Sequence, residues 1–141
     1  MVAWKPAEPP AFPDSLDVKE LTDTEDSTWQ VINHPFRYHS ALIGLITVPL
    51  GFVTDFASVP RIPLIFDELG DDANRPSVVH DWLYYADLVP KYMADKVLFE
   101  AMGVIGMAAW RRYPIYWGVV FGGQLAWDKH RQAGNKASDY L

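Results

Sequence analysis

The feature that most limits how this chain can fold is a change in the period of its apolar residues near Pro60. Before that proline they cluster in short runs rich in β-branched and aromatic side chains; after it they recur at helical spacing. Thr28-Trp29-Gln30-Val31-Ile32 is one such run, closed by the turn residues Asn33-His34-Pro35. Phe36-Arg37-Tyr38-His39 alternates apolar with polar, and the apolar run from Ile43 to Val48 ends at Pro49 and Gly51. These segments, between Val18 and Val53, suit an antiparallel sheet of three or four strands.

Beyond Pro60, residues 63–69 leave room for a short helix before a polar loop over residues 70–76. Ser77 stands where a cap is expected for a helix through Val78 to Tyr84, broken by Asp87 to Pro90. A second helix follows from about Lys91 to Met107, with Met93, Val97, Leu98 and Ala101 at helical spacing. Pro114 suits the first turn of a third helix that reaches about Arg131. The expected architecture is α+β: a small N-terminal antiparallel sheet followed by a three-helix C-terminal part, in one domain over residues 16–132. Residues 1–15, with four prolines, read as an extended arm, either laid on a partner subunit or loose. The polar residues 133–141 read as a flexible tail.

With 141 residues, half of them hydrophobic, the chain can bury a core. Its net charge of -6 gives no long-range attraction to nucleic acid or to an anionic membrane, and no nucleic-acid partner is expected. The absence of cysteine removes disulfides, thiolate metal sites and a cysteine nucleophile, and suits a reducing compartment. The first residues hold no apolar stretch of signal length. The apolar window from Tyr113 to Trp127 is shorter than the roughly 20 residues a membrane helix needs, so a buried core helix is expected there. The aromatics at that end, Trp110, Tyr113, Tyr116, Trp117 and Trp127, fit a core, a subunit interface or a lipid contact.

One cluster carries pointed chemistry. His80 and Tyr84 are four residues apart and share a helix face, with Asp81 about 100° around from His80. The break after Asp87 is short, so the next helix should return antiparallel and bring Asp95 level with His80. A histidine held by a carboxylate has a fixed tautomer and can act as a general base, and a neighbouring carboxylate can bind a hard cation. The structural alternative is equally plain: a polar pair offsetting a helix dipole, with Asp95 matched to Lys91 or Lys96. The segment Gly51 to Pro60 has the same two faces. Asp55 is either a turn residue bonded to backbone or a metal ligand facing His80. His34 and His39 cannot be brought near His80 from sequence, and their spacing makes no zinc motif.

Two resemblances rest on these residues. V-P-L-G-F-V-T-D-F-A-S-V-P-R, then V-V-H-D-W-L-Y, then A-D-K-V-L-F-E-A-M and an aromatic helix, resemble an uncharacterised family of small tailed-phage and prophage proteins, a domain of unknown function. Separately, H-D-x-x-Y followed by A-D-x-x-x-F is similar to the catalytic helix pair of phospholipases A2. That likeness implies His80 as the base that activates water, Asp81 as a calcium ligand, and Tyr84 with Asp95 holding His80. The glycine-rich calcium loop of that family has no clear counterpart; Leu69-Gly70-Asp71-Asp72 comes nearest.

Taken together, two functions are expected. One is a virion-associated, tail-type phage protein, made in the host cytoplasm, with a phospholipase-like hydrolase site (His80, Asp95 and Tyr84 catalytic; Asp81 and Asp55 for calcium) acting on host membrane lipid. The other is a non-enzymatic component of an oligomeric phage assembly, bound to other phage structural proteins, with His80 and Asp95 as a buried clamp. A metal-dependent phosphohydrolase would need a second upstream histidine on a helix, and both candidates lie in strand-like sequence.

Overall fold

The computed structural model of the protein describes residues 9–21, 28–54 and 74–141. The expected short helix at residues 63–69, and Asp55, lie outside the described residues. The α+β architecture is observed: strands between residues 18 and 54 precede four helices. β1 (Val18–Leu21), β2 (Thr28–Val31) and β5 (Val53–Thr54) make one antiparallel sheet in the order β1-β2-β5. β3 (Phe36–Ser40) and β4 (Gly44–Val48) form a separate hairpin, with Phe36 opposite Val48 and Ser40 opposite Gly44. The single sheet expected from sequence is therefore two. The chain reverses between them at Asn33, whose positive φ of 68° an asparagine tolerates better than most residues.

The hairpin shows why period two matters. Phe36, Tyr38 and Ser40 face inward while Arg37 faces out, and on β4 Ile46 and Val48 are buried while Leu45 is exposed. The described part of the N-terminal arm lies on this chain's own hairpin. Ala11 bridges to His39, Phe12 stacks on Phe36 with ring centres 5.5 Å apart, and Asp14 holds Arg37 through two side-chain hydrogen bonds. That arginine keeps the Asp14 carboxyl down at about 2.

α1 (Asn74–Ala86) occupies the centre, and every side chain from Pro76 to Tyr84 is buried. Ser77 lies inside the helix rather than capping it, because the described part of the helix already runs from Asn74. One core joins Val78, Val79, Trp82 and Leu83 to Phe36, Tyr38, Val48 and Phe52 of the strand layer. α2 (Lys91–Val104) returns beside α1 and presents Ala94, Val97 and Ala101 to the same core. Its other buried side, Leu98 and Met102, packs with Met107 and with Ile115 and Val119 of α3 (Ala109–Gly122).

The expected third helix is in fact two. α3 starts five residues before Pro114, which lies on its exposed side, where water can serve the carbonyl left without a donor. α3 then ends at Gly122, and α4 (Gln124–Ala133) begins after Gly123. Arg131 on α4 donates from Nη2 to the carbonyls of Tyr84 and Tyr85, both at 2.8 Å, and pairs with Asp87. It thereby supplies donors to the last turn of α1, where helical carbonyls lack partners. The residues read as a flexible tail hold a 3-10 turn, Ala137–Tyr140, and Tyr140 packs edge-on against Phe52, Trp82 and Tyr85. Polarity suggested fraying, but one large aromatic side chain gives this end a place in the core.

Gly123 is where small size is required. A Cβ there would stand 2.6 Å from the Tyr84 hydroxyl and 2.5 Å from the Val119 carbonyl oxygen, whereas one on Gly122 would meet nothing within 4 Å. Gly123→Ala should lower stability by about 1–3 kcal/mol, as overpacking does. Gly122→Ala should be neutral or slightly stabilising, since alanine is the better helix former. Thermal unfolding of the two variants beside the parent chain checks the contrast.

Candidate functional site

Because α1 is buried on every side, its polar residues must find partners inside the protein. His80 and Tyr84, one turn apart, lie against each other with ring centres 4.2 Å apart. Asp95, in the second turn of α2, meets both: His80 Nε2 stands 2.8 Å from Asp95 Oδ1, and the Tyr84 hydroxyl donates to the same oxygen at 2.7 Å. The antiparallel return of α2 therefore brings these three residues together as expected. The other carboxylate oxygen accepts from Lys91 Nζ at 2.7 Å. Lys91 also donates to the carbonyls of Val119 and Val120, near the end of α3, so its ammonium ties three helices together.

Lys91 was legible in the sequence only as a surface partner of Asp95. Its spacing of four residues marks the pairing, but only the packing of α3 shows that the pair is enclosed. Gly123 was not read from sequence as a site residue. Its signal is the Gly122-Gly123 doublet, and its role is to let the Tyr84 hydroxyl approach.

The cluster is sealed. His80 and Tyr84 have no exposed surface, and Asp95 is 1% exposed. Burial pushes the His80 pKa below the usual histidine value, and the nearby Asp95 carboxylate only partly offsets this. Burial also pushes the Asp95 carboxyl upward, but the hydrogen bonds from His80, Lys91 and Tyr84 outweigh it, and the group titrates below the usual aspartate value. Tyr84 is raised, by burial first and by its bond to the carboxylate second. At neutral pH this describes a neutral imidazole, a neutral phenol and an ammonium around one carboxylate.

Asp81 points elsewhere. It accepts a hydrogen bond from Thr54 at the end of β5 and forms part of the wall of a cleft of about 610 Å³. Tyr85, Phe52, Lys129 and His130 also line that cleft. His80 does not reach its surface. Among the described residues no three acidic, histidine or cysteine side chains converge as metal ligands, so Asp81 does not by itself make a calcium site. The other expected ligand, Asp55, falls outside the described residues.

Comparison with known proteins bears on this geometry. A family model described as "Protein of unknown function (DUF1353)" matches residues 29–119. The chain belongs to this family. The DUF1353 match runs from β2 into α3 and so contains His80, Asp81, Tyr84, Lys91 and Asp95. It stops short of Gly123 and of α4. No curated protein and no solved structure matches the chain.

The cluster should set the acid stability of the fold. A folded-state histidine pKa below 6.5 means that the unfolded chain takes up the proton first, so stability falls as pH drops below about 6.5. His80→Gln should lower the melting temperature at pH 8 yet show a shallower decline between about pH 7 and 5 than the parent chain. Asp95→Ala, which leaves buried His80 and Tyr84 without their acceptor and the half-buried Lys91 without its counter-charge, should cost about 3–5 kcal/mol in urea unfolding.

Proposed function

We propose that this DUF1353 chain is a non-enzymatic component of a phage particle, in which His80, Asp95, Tyr84 and Lys91 form a buried clamp joining α1, α2 and α3. One observation carries the reading: the imidazole that would have to reach a substrate has no exposed surface. A general base must come within hydrogen-bond reach of the proton it removes. Here one ring nitrogen is held by Asp95, and that carboxylate is neutralised by Lys91 on its other oxygen. A clamp needs only what is present, namely matched donors and acceptors in a closed space. The phage assignment is supported by the resemblance of the T-D-F-A-S-V-P-R and V-V-H-D-W-L-Y segments to phage and prophage proteins. Other phage structural proteins are the partners this role implies, and the virion is its location.

A second reading is favoured by a specific observation. His80 Nε2 and the Tyr84 hydroxyl share one oxygen of Asp95, and Asp81, the next residue, opens onto the 610 Å³ cleft. This is the arrangement that the phospholipase A2 likeness implies, with the other imidazole nitrogen activating water for attack on an ester carbonyl.

Assay of the purified chain on phosphatidylglycerol micelles and on a simple aryl ester, each with calcium and with a chelator, separates the two. The clamp reading expects hydrolysis at the buffer rate in all four conditions. Turnover that Asp81→Asn or His80→Gln abolishes, in variants still folded by circular dichroism, would reverse the assignment in favour of the hydrolase.

A further inference from the structure

α3 carries the largest unexplained surface. Trp110, Tyr113, Trp117 and Phe121 follow one another at spacings of three, four and four residues and share one face, opposite the buried Ile115 and Val119. All four are at least half exposed, Trp110 at 69% and Phe121 at 78%. Leu125, in the first turn of α4, is exposed beside them. A water-facing helix face normally carries charged and polar side chains; this one has none. The sequence reads the window from Tyr113 to Trp127 as a buried core helix and its aromatics as core, subunit interface or lipid contact, and the core takes only the opposite side of α3.

We propose that this aromatic face of α3 seats on an anionic lipid surface, with the helix lying along the interface. Three observations choose lipid over protein. The first is charge. The chain as a whole is at -6, yet residues 101–127 contain no acidic residue and two arginines. Residues 91–136 hold seven Lys and Arg against three Asp and Glu, leaving five against fifteen in the remainder of the 12 and 18. The helix that carries the face is itself basic, with Arg111 and Arg112 and no acidic residue, which favours a negative surface. Second, α3 contains no Ser, Thr, Asn, Gln, Asp or Glu. A protein interface of useful size carries about one hydrogen bond per 100–200 Å² and a polar rim, and the exposed face itself offers only two indole N–H groups and one phenol for it. Third, tryptophan and tyrosine prefer the headgroup level of a bilayer, where a ring can be buried with its polar atom wet. Among the described residues no helix is long and apolar enough to cross a membrane, so α3 would lie flat, as interfacial helices do.

The surroundings fit this. Arg111 lies over the Trp110 ring at 4.8 Å on the flank of the face, and Lys96 is exposed on α2. Lys96 and Glu100, with Leu42, Phe99, Tyr113 and Tyr116, line a cavity of about 380 Å³. Tyr113 belongs both to this recess and to the aromatic face. The inference goes beyond the assembly reading above and does not depend on whether His80 is a clamp or a base.

Flotation of the full chain with vesicles of phosphatidylglycerol and phosphatidylethanolamine, beside vesicles of phosphatidylcholine alone, tests it. Binding to the anionic vesicles should exceed binding to the neutral ones by about tenfold, with a blue shift of tryptophan emission and weakening at high salt. The double variant Trp117→Ser/Phe121→Ser changes exposed positions only. It should lose that binding by about tenfold or more while keeping the parent's melting temperature. Failure to float with either vesicle, or equal partition to both, overturns the proposal. So does a parent chain that sediments as a dimer which the double variant dissociates, because the face would then be covered by a second copy.

Discussion

A carboxylate enclosed by three helices must be matched by donors, and the arrangement around Asp95 follows from that requirement. Its two oxygens receive His80, Tyr84 and Lys91, two from α1 and one from the start of its own helix. Each donor is in turn committed: Lys91 to the α3 carbonyls, Tyr84 to a gap that only Gly123 leaves open. An unmatched ionised group in such a place costs several kcal/mol, a large fraction of the stability of a domain this size. Relative placement of α1, α2 and α3 is thereby coupled to one side chain.

The same logic explains the central helix. α1 combines a core of Val78, Val79, Trp82 and Leu83 with three polar groups that a buried helix ordinarily avoids, Ser77, His80 and Asp81. His80 is served from α2 and Asp81 from β5 through Thr54, so the helix joins the strand layer and the helical layer by polar as well as apolar contacts. Its C-terminal end is closed by Arg131 from α4, whose guanidinium also stacks on Trp127 at 4.7 Å. The carboxyl-terminal segments thus contribute to the order of a helix that begins 50 residues earlier in the chain.

Function is divided between inside and outside. The polar cluster is inward and saturated; the groups open to a partner are the aromatic face of α3 and the cleft beside Asp81. The DUF1353 match contains the whole polar cluster and α3 as far as Val119. A buried His-Asp pair raises the prior for catalysis, but such a pair also arises wherever a helix with a histidine is packed on all sides.

The sequence by itself determined the fold class and the members of the cluster. Periodicity separates strands from helices near Pro60, and His80, Tyr84 and Asp95 are legible because four-residue spacing and a short interhelical break leave little freedom in where they meet. Local chemistry did not reveal the division of the strands into two sheets, since pairing partners are chosen by packing and not by the strands' own composition. Nor did it reveal where α3 ends, because Gly122 and Gly123 are compatible with a continuing helix, or that the Tyr84 hydroxyl fills the space beside Gly123. Apolar character in the window from Tyr113 to Trp127 foretold burial, yet within α3 only Ile115 and Val119 are buried. Whether an apolar side chain is covered depends on which neighbours reach it, and neighbours are a property of the tertiary structure alone.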